Sequence, residues 1–154
     1  MDPYDVPTAP DALRTELMAR ERLLHFPGPG TSREQFESGV VAGYWEVGAS
    51  GGSFDVDVIW DVVRRRAAGD PSAYGDLGTD PPWATAEEEL RELGPGVYLL
   101  TYLLIQGERR TRRATIWRRG ETAGNPDSSA LPSEAVGGAW VSAYHQGTVV
   151  TGRW

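Results

Sequence analysis

The chain has 154 residues, 40% of them hydrophobic and 24% charged, with a net charge of −7, which fits one globular domain with its own core. It contains no cysteine and no lysine, all 15 basic residues being arginine, and only two histidines, His25 and His145. Thiol nucleophiles, disulfides, thiolate metal sites, Schiff-base lysines and three-histidine zinc centres are thereby excluded.

Residues 1–8, rich in Pro and Asp, read as a loose arm ahead of a single domain over residues 9–154. Pro10 and Asp11 suit a helix start, and Leu13, Leu17 and Leu24 recur at helical spacing up to Pro27. Ser32 and Gln35 form a capping box for a second helix that Phe36, Val40 and Val41 would continue. Gly43 to Val47 has strong β preference, and Ala49-Ser50-Gly51-Gly52-Ser53 is a turn, so a hairpin is expected. Asp57 is expected to cap a third helix, with Ile59, Val62 and Val63 as its buried stripe and Arg64, Arg65 and Arg66 at its negative end. Residues 67–82 have a loop composition.

The second half reads as strands: Tyr98 to Ile105, Thr111 to Arg118, and Ala139 to Thr151. Between the last two, residues 120–138 read as a long, mobile loop. Thr85 to Arg91 is in conflict, because its capping box and helix formers favour a helix.

The negative charge disfavours nucleic acid and anionic membranes as partners. The arginine pairs at 109–110, 112–113 and 118–119 read as solvated strand edges or ion pairs. Met1 is followed by Asp-Pro-Tyr-Asp, so no secretory leader is expected. Val97 to Ile105 is too short to span a bilayer. A cytoplasmic protein is expected.

Four segments carry a resemblance. Trp140 to Thr148 reads W-V-S-A-Y-H-Q-G-T, Tyr44 to Gly51 reads Y-W-E-V-G-A-S-G, Leu100-Thr101-Tyr102 is a Leu-Thr-Tyr strand, and Arg113 to Trp117 reads R-A-T-I-W. Together they resemble, in order and at plausible spacing, a bacterial branch of the nuclear transport factor 2-like superfamily made of small domains of unknown function. Ala114 and Thr115 replace two serines of that pattern. The resemblance implies an α+β cone: a strongly bent mixed or antiparallel sheet packed against about three N-terminal helices. It also implies a strand over residues 83–93, against local propensity, and a homodimer.

Period-two alternation sorts the strands into faces. One face would carry Tyr44, Glu46, Tyr98, Tyr102, Arg113, Thr115, Trp117, Trp140, Ser142, Tyr144 and Gln146, and the other Trp45, Val47, Leu99, Thr101, Leu103, Ala114, Ile116, Val141, Ala143 and His145. Glu46 and Arg113 would then pair, either at a pocket floor or as a structural ion pair. His145 reads as a general base or as a hydrogen-bonded core residue. His25 reads as a favourable charge at a helix end. The aromatic set Tyr98, Tyr102, Trp117, Trp140 and Tyr144 suits a ligand pocket or a subunit interface.

The expected function is binding of a small, largely apolar molecule in the cone, without cofactor or metal. The candidate ligand-binding residues are Tyr44, Glu46, Tyr102, Arg113, Trp117, Tyr144, His145 and Gln146, and the catalytic candidates are Glu46, Arg113 and His145. The alternative is a cofactor-independent acid–base enzyme of the isomerase, dehydratase, cyclase or epoxide-hydrolase type, as the resemblance also allows.

Overall fold

Buried and exposed residues alternate along the second half of the chain, and this alternation sets the architecture. The computed structural model describes residues 8–78, 81–120 and 140–151. In chain order they form helix α1 (Asp11–His25), short helix α2 (Arg33–Glu37), strands β1 (Trp45–Val47) and β2 (Ser53–Asp55), helix α3 (Val56–Ala67) and a 3-10 segment (Pro71–Leu77). Strands β3 (Ala84–Gly94), β4 (Val97–Gln106), β5 (Arg109–Arg119) and β6 (Trp140–Val149) follow. All six strands form one sheet in the order β2-β1-β6-β5-β4-β3. Strand β1 runs parallel to β6, and the other pairings are antiparallel. The α+β cone architecture of a bent mixed sheet on three helices is present.

The inner face of the sheet supplies Leu90, Leu100, Tyr102, Leu104, Trp117 and Trp140. Helices supply Leu17, Leu24, Phe36, Ile59 and Val63. Each such side chain contributes roughly 1.5–3 kcal/mol when fully buried. The opposite face carries Leu99, Leu103, Ile105, Ile116, Val141 and Tyr144, all half-buried.

Residues 84–94 are a strand, as the resemblance implied and local preference did not. Leu90 is buried opposite Leu100, and that long-range pairing outweighs helix preferences of a few tenths of a kcal/mol per residue. A register shift between Ala86 and Glu89 leaves Glu87 at φ +53°. Helix α2 keeps its capping box but ends at Glu37 rather than running on to Val41. Val40 forms a parallel bridge with Ser142, and backbone hydrogen bonds tie Gly39 and Val41 to Ser142, so pairing with the sheet replaces the helix. Asp55, not Asp57, caps α3 by accepting from the Val58 amide at 3.1 Å. Asp57 instead accepts from Arg33. The expected loop over 67–82 contains the 3-10 segment, started by Asp70. The proposed arm over 1–8 lies outside the described residues except Thr8, which bridges to Arg91. Of the loop over 120–138, only Gly120 is described.

One irregularity changes the faces of β6. Trp117 pairs with Ser142 but Ile116 pairs with Tyr144, so Ala143 is an extra residue, a β-bulge. Past the bulge every side chain changes side. His145 therefore joins Thr115 and Arg113 on the inner face. Tyr144 and Gln146 turn to the outer face, where Tyr144 packs on Trp45 with ring centroids 4.9 Å apart. The aromatic set is split: Tyr102, Trp117 and Trp140 are each 2% exposed and belong to the core, so no broad aromatic face is presented.

Candidate functional site

Helix α1 points an acid into the core. Its inner stripe runs Leu17, Glu21, Leu24 and His25, and Glu21 is 0% exposed. A bare buried carboxylate is too costly to keep, and this one is surrounded by donors. Tyr102 Oη donates to Oε1 at 3.1 Å, Thr115 Oγ1 to Oε1 at 2.5 Å, and Trp117 Nε1 to Oε2 at 3.0 Å. His145 Nδ1 lies 3.0 Å and His25 Nε2 3.4 Å from Oε1. Burial opposes ionisation of Glu21, but the hydrogen bonds from His145 and His25 outweigh it and hold the carboxyl well below its usual range. Burial pushes the Tyr102 hydroxyl far up, and the neighbouring Glu21 charge adds to it.

Arg113 fixes the tautomer of His145. Its NH1 lies 3.2 Å from His145 Nε2, and a guanidinium only donates. Nε2 is therefore the acceptor and the ring proton sits on Nδ1, facing Glu21 and Thr115 Oγ1, which is 2.6 Å away. The His-Gln-Gly-Thr segment has a physical reading here. His145 receives Arg113, and Gly147 makes room for it, since a Cβ at 147 would lie 3.2 Å from the guanidinium carbon.

The potential ligating atoms of Glu21, His25 and His145 lie within 4.8 Å of one another. The donor set does not suit a metal ion. His145 Nδ1 carries a proton instead of a free lone pair, the Arg113 cation stands at the far side of the ring, and the Glu21 oxygens already accept from their neighbours. The cluster is a hydrogen-bonded core network that orders what lies above it.

Above it is a cavity of about 270 Å³. Its apolar wall includes Phe26, Phe54, Val62 and Trp83, and its polar lining includes His25, Glu46, Arg66, Gln106, Arg109 and Arg113. Phe26 meets Trp83 edge-on at 5.6 Å. The β1–β2 turn brings Phe54 over Gly48 and Gly52, where a Cβ on either would come within 2.9 Å of its ring.

Arg66 does not stay with the negative end of its own helix. It turns inward, donating from Nε to the Ala73 carbonyl at 3.0 Å and from NH1 to the His25 carbonyl at 3.1 Å, over the Phe26 ring at 4.9 Å. It thus satisfies a carbonyl at the end of α1. Burial pulls both Arg66 and Arg113 down from the ordinary arginine value.

Glu46 and Arg113 both line the cavity, but the expected ion pair between them is absent among the described residues. Glu46 instead accepts from Tyr44 Oη at 2.8 Å and lies 4.0 Å from His25 Nδ1, while Arg113 donates from Nε to Thr111 Oγ1 at 2.9 Å. Alternation put the two on one face without bringing them into contact. Tyr44, Tyr102, Trp117 and His145 are buried in the core beside the cavity. Tyr144 and Gln146 face away from it, with Tyr144 Oη donating to Gln146 Oε1 at 2.7 Å.

Sequence reasoning missed Glu21, Arg66, Trp83 and Gln106. It also placed His25 at a helix end as a useful charge. Burial, and then the nearby His145, instead pulls the pKa of His25 down from its ordinary 6.5. One signal was available: position 21 falls on the stripe set by Leu17 and Leu24, where an acid must find partners.

No protein-family model matches the chain, and no curated protein matches it. Solved structures do. A nuclear transport factor 2-like protein of unknown function from Pseudomonas aeruginosa is 13% identical, with a TM-score of 0.55 over 91% of this chain and 99% of that one. Another from Silicibacter pomeroyi is 16% identical, with a TM-score of 0.52 over 90% and 94%. A protein of unknown function from Pectobacterium atrosepticum is 11% identical, with a TM-score of 0.51 over 94% and 100%. The chain has the nuclear transport factor 2-like fold over nearly its full length, and the bacterial resemblance read from its sequence agrees.

Proposed function

We propose that this nuclear transport factor 2-like cone domain binds a small molecule with a largely apolar body in the cavity between α1, α3, the β1–β2 hairpin and the inner faces of β4 and β5. The observation that carries the reading is the cavity itself: an aromatic and aliphatic wall with a few polar groups converging on one side. That is the usual make-up of a small-molecule site, and about 270 Å³ favours a compact ligand. Binding of 1-naphthamide, a neutral flat probe, tests it by fluorescence titration. The wild type is expected to bind and Val62→Trp, which fills the half-buried wall, is expected to lose at least tenfold in affinity. Equal binding by both proteins would place the probe elsewhere.

A second reading, cofactor-independent acid–base catalysis, is favoured by one feature. His25 touches buried Glu21 through Nε2 and reaches the cavity with its other nitrogen beside Glu46. A carboxylate-oriented histidine at a pocket wall can move a proton. His25→Asn separates the readings: binding that persists with no turnover to lose belongs to a binding module.

The chain acts as a homodimer in this proposal, joined through the half-buried outer sheet face of Leu99, Leu103, Ile116 and Val141. A charge of −7 argues against nucleic acid and anionic membrane as partners, and no helix among the described residues is long and apolar enough to cross a membrane. A cytoplasmic location is part of the same proposal.

A further inference from the structure

The arginines divide by what surrounds them. Among the described arginines that are not fully exposed, Arg14, Arg20 and Arg65 each have a carboxylate within 4.0 Å. Arg66 and Arg113 are also part-buried, have no carboxylate within that distance among the described residues, and both line the cavity. Unpaired arginines elsewhere, such as Arg22, Arg110 and Arg118, are exposed, where water does the work of a partner. Water serves a part-buried guanidinium less well, and a buried charge left alone is expensive.

Both guanidiniums are held by the protein and still have donors to spare. Arg113 uses Nε on Thr111 and NH1 on His145, and Arg66 uses Nε and NH1 on the carbonyls of Ala73 and His25. Each therefore keeps its whole NH2 group unassigned, in a fixed direction. The Arg113 charge lies close enough to pull Arg66 down, and Arg109 does the same to Arg113. Arg109 adds a third positive charge to the lining, against the single carboxylate of Glu46. A chain with net charge −7 thus presents a locally positive pocket.

We infer that the ligand is a small organic carboxylate, its anionic group seated between Arg66 and Arg113 and its apolar body against Phe26 and Trp83. Each carboxylate oxygen can accept from one of the two free NH2 groups, and charge-assisted bonds of this kind are roughly twice as strong as neutral ones. It relieves the repulsion between the two arginines, and the Glu46 charge nearby favours a monoanion over a dianion.

This inference rests on the pocket reading above, and the test separates them. 1-Naphthoate, 1-naphthamide and 1-naphthyl phosphate share one apolar body and differ in charge. The full chain is titrated with each, and with each after Arg113→Gln and after Arg66→Gln. The wild type is expected to bind naphthoate at least tenfold more tightly than naphthamide and more tightly than the phosphate, with the naphthoate-to-naphthamide ratio falling toward one in either variant. Should one variant fail to fold, the wild-type ratio and the other variant still decide. Equal binding of naphthoate and naphthamide, a ratio unchanged by both substitutions, or tighter binding of the phosphate would overturn the carboxylate and leave the pocket standing. Failure of all three probes would overturn both.

Discussion

Replacing Glu21 is the severest test of the network under the pocket. In Glu21→Ala the donors of Tyr102, Thr115 and Trp117, now 2.5–3.1 Å from its oxygens, all lose their acceptor inside a core where Glu21 is 0% exposed. His145 and His25 lose it too. Removing one partner of such a buried set costs about 3–5 kcal/mol, a large part of the roughly 5–15 kcal/mol that holds a domain together. Glu21→Gln keeps the shape and one oxygen, but its amide must face the Trp117 N–H or the hydroxyls. One buried donor then goes unmet, at about 1–3 kcal/mol. Urea denaturation followed by tryptophan fluorescence and by circular dichroism gives both values, with Trp117 one of six tryptophans contributing to the first signal. The variants are expected in the order wild type, Gln, Ala. A loss under about 1 kcal/mol for Glu21→Ala, as exposed pairs show, would refute the reasoning.

The same groups set the pH dependence. Glu21 titrates lower in the folded than in the unfolded chain, so its contribution is present above the unfolded carboxylate value and is lost as pH falls through the folded one; His25 also titrates below its ordinary 6.5 and remains neutral while the unfolded chain protonates, so stability falls as pH drops below about 6.5 and levels off above it. His25→Asn is expected to flatten the part of that fall nearest neutrality, and an unchanged pH profile of the urea midpoint would contradict it. Gly147→Ala places a Cβ 3.2 Å from the Arg113 guanidinium and is expected to weaken naphthoate more than naphthamide, which titration of both probes reads. Ile116→Arg on the outer sheet face is expected to turn a dimer into a monomer in sedimentation equilibrium, and a wild type that sediments as a monomer would remove that proposal.

The strands and the helix stripes were legible because each rests on local periodicity: Leu17 and Leu24 at helical spacing, and alternate burial along Leu100, Tyr102 and Leu104. The faces of β6 were not legible. Its bulge at Ala143 carries no glycine or other local mark, yet it moves His145 indoors and Tyr144 and Gln146 outdoors. Strand β3 was legible through resemblance alone, because Thr85 to Arg91 favours a helix until Leu90 meets Leu100. Arg113 and Glu46 both line the cavity but do not pair, because Tyr44 and His25 take Glu46 while Thr111 and His145 take Arg113. Arg66 was hidden in a run of three arginines, where the Ala73 and His25 carbonyls and the Phe26 ring select the one that turns inward. Glu21 was the readable omission, an acid on an apolar stripe.

The most direct measurement is a crystal structure of the protein grown with 1-naphthoate. The carboxylate is expected within hydrogen-bond distance of the free NH2 groups of Arg66 and Arg113, with the ring against Phe26 and Trp83 and the Glu21 network beneath unchanged. A pocket that stays empty at saturating ligand, or a naphthoate whose carboxylate points away from both arginines, would contradict the account.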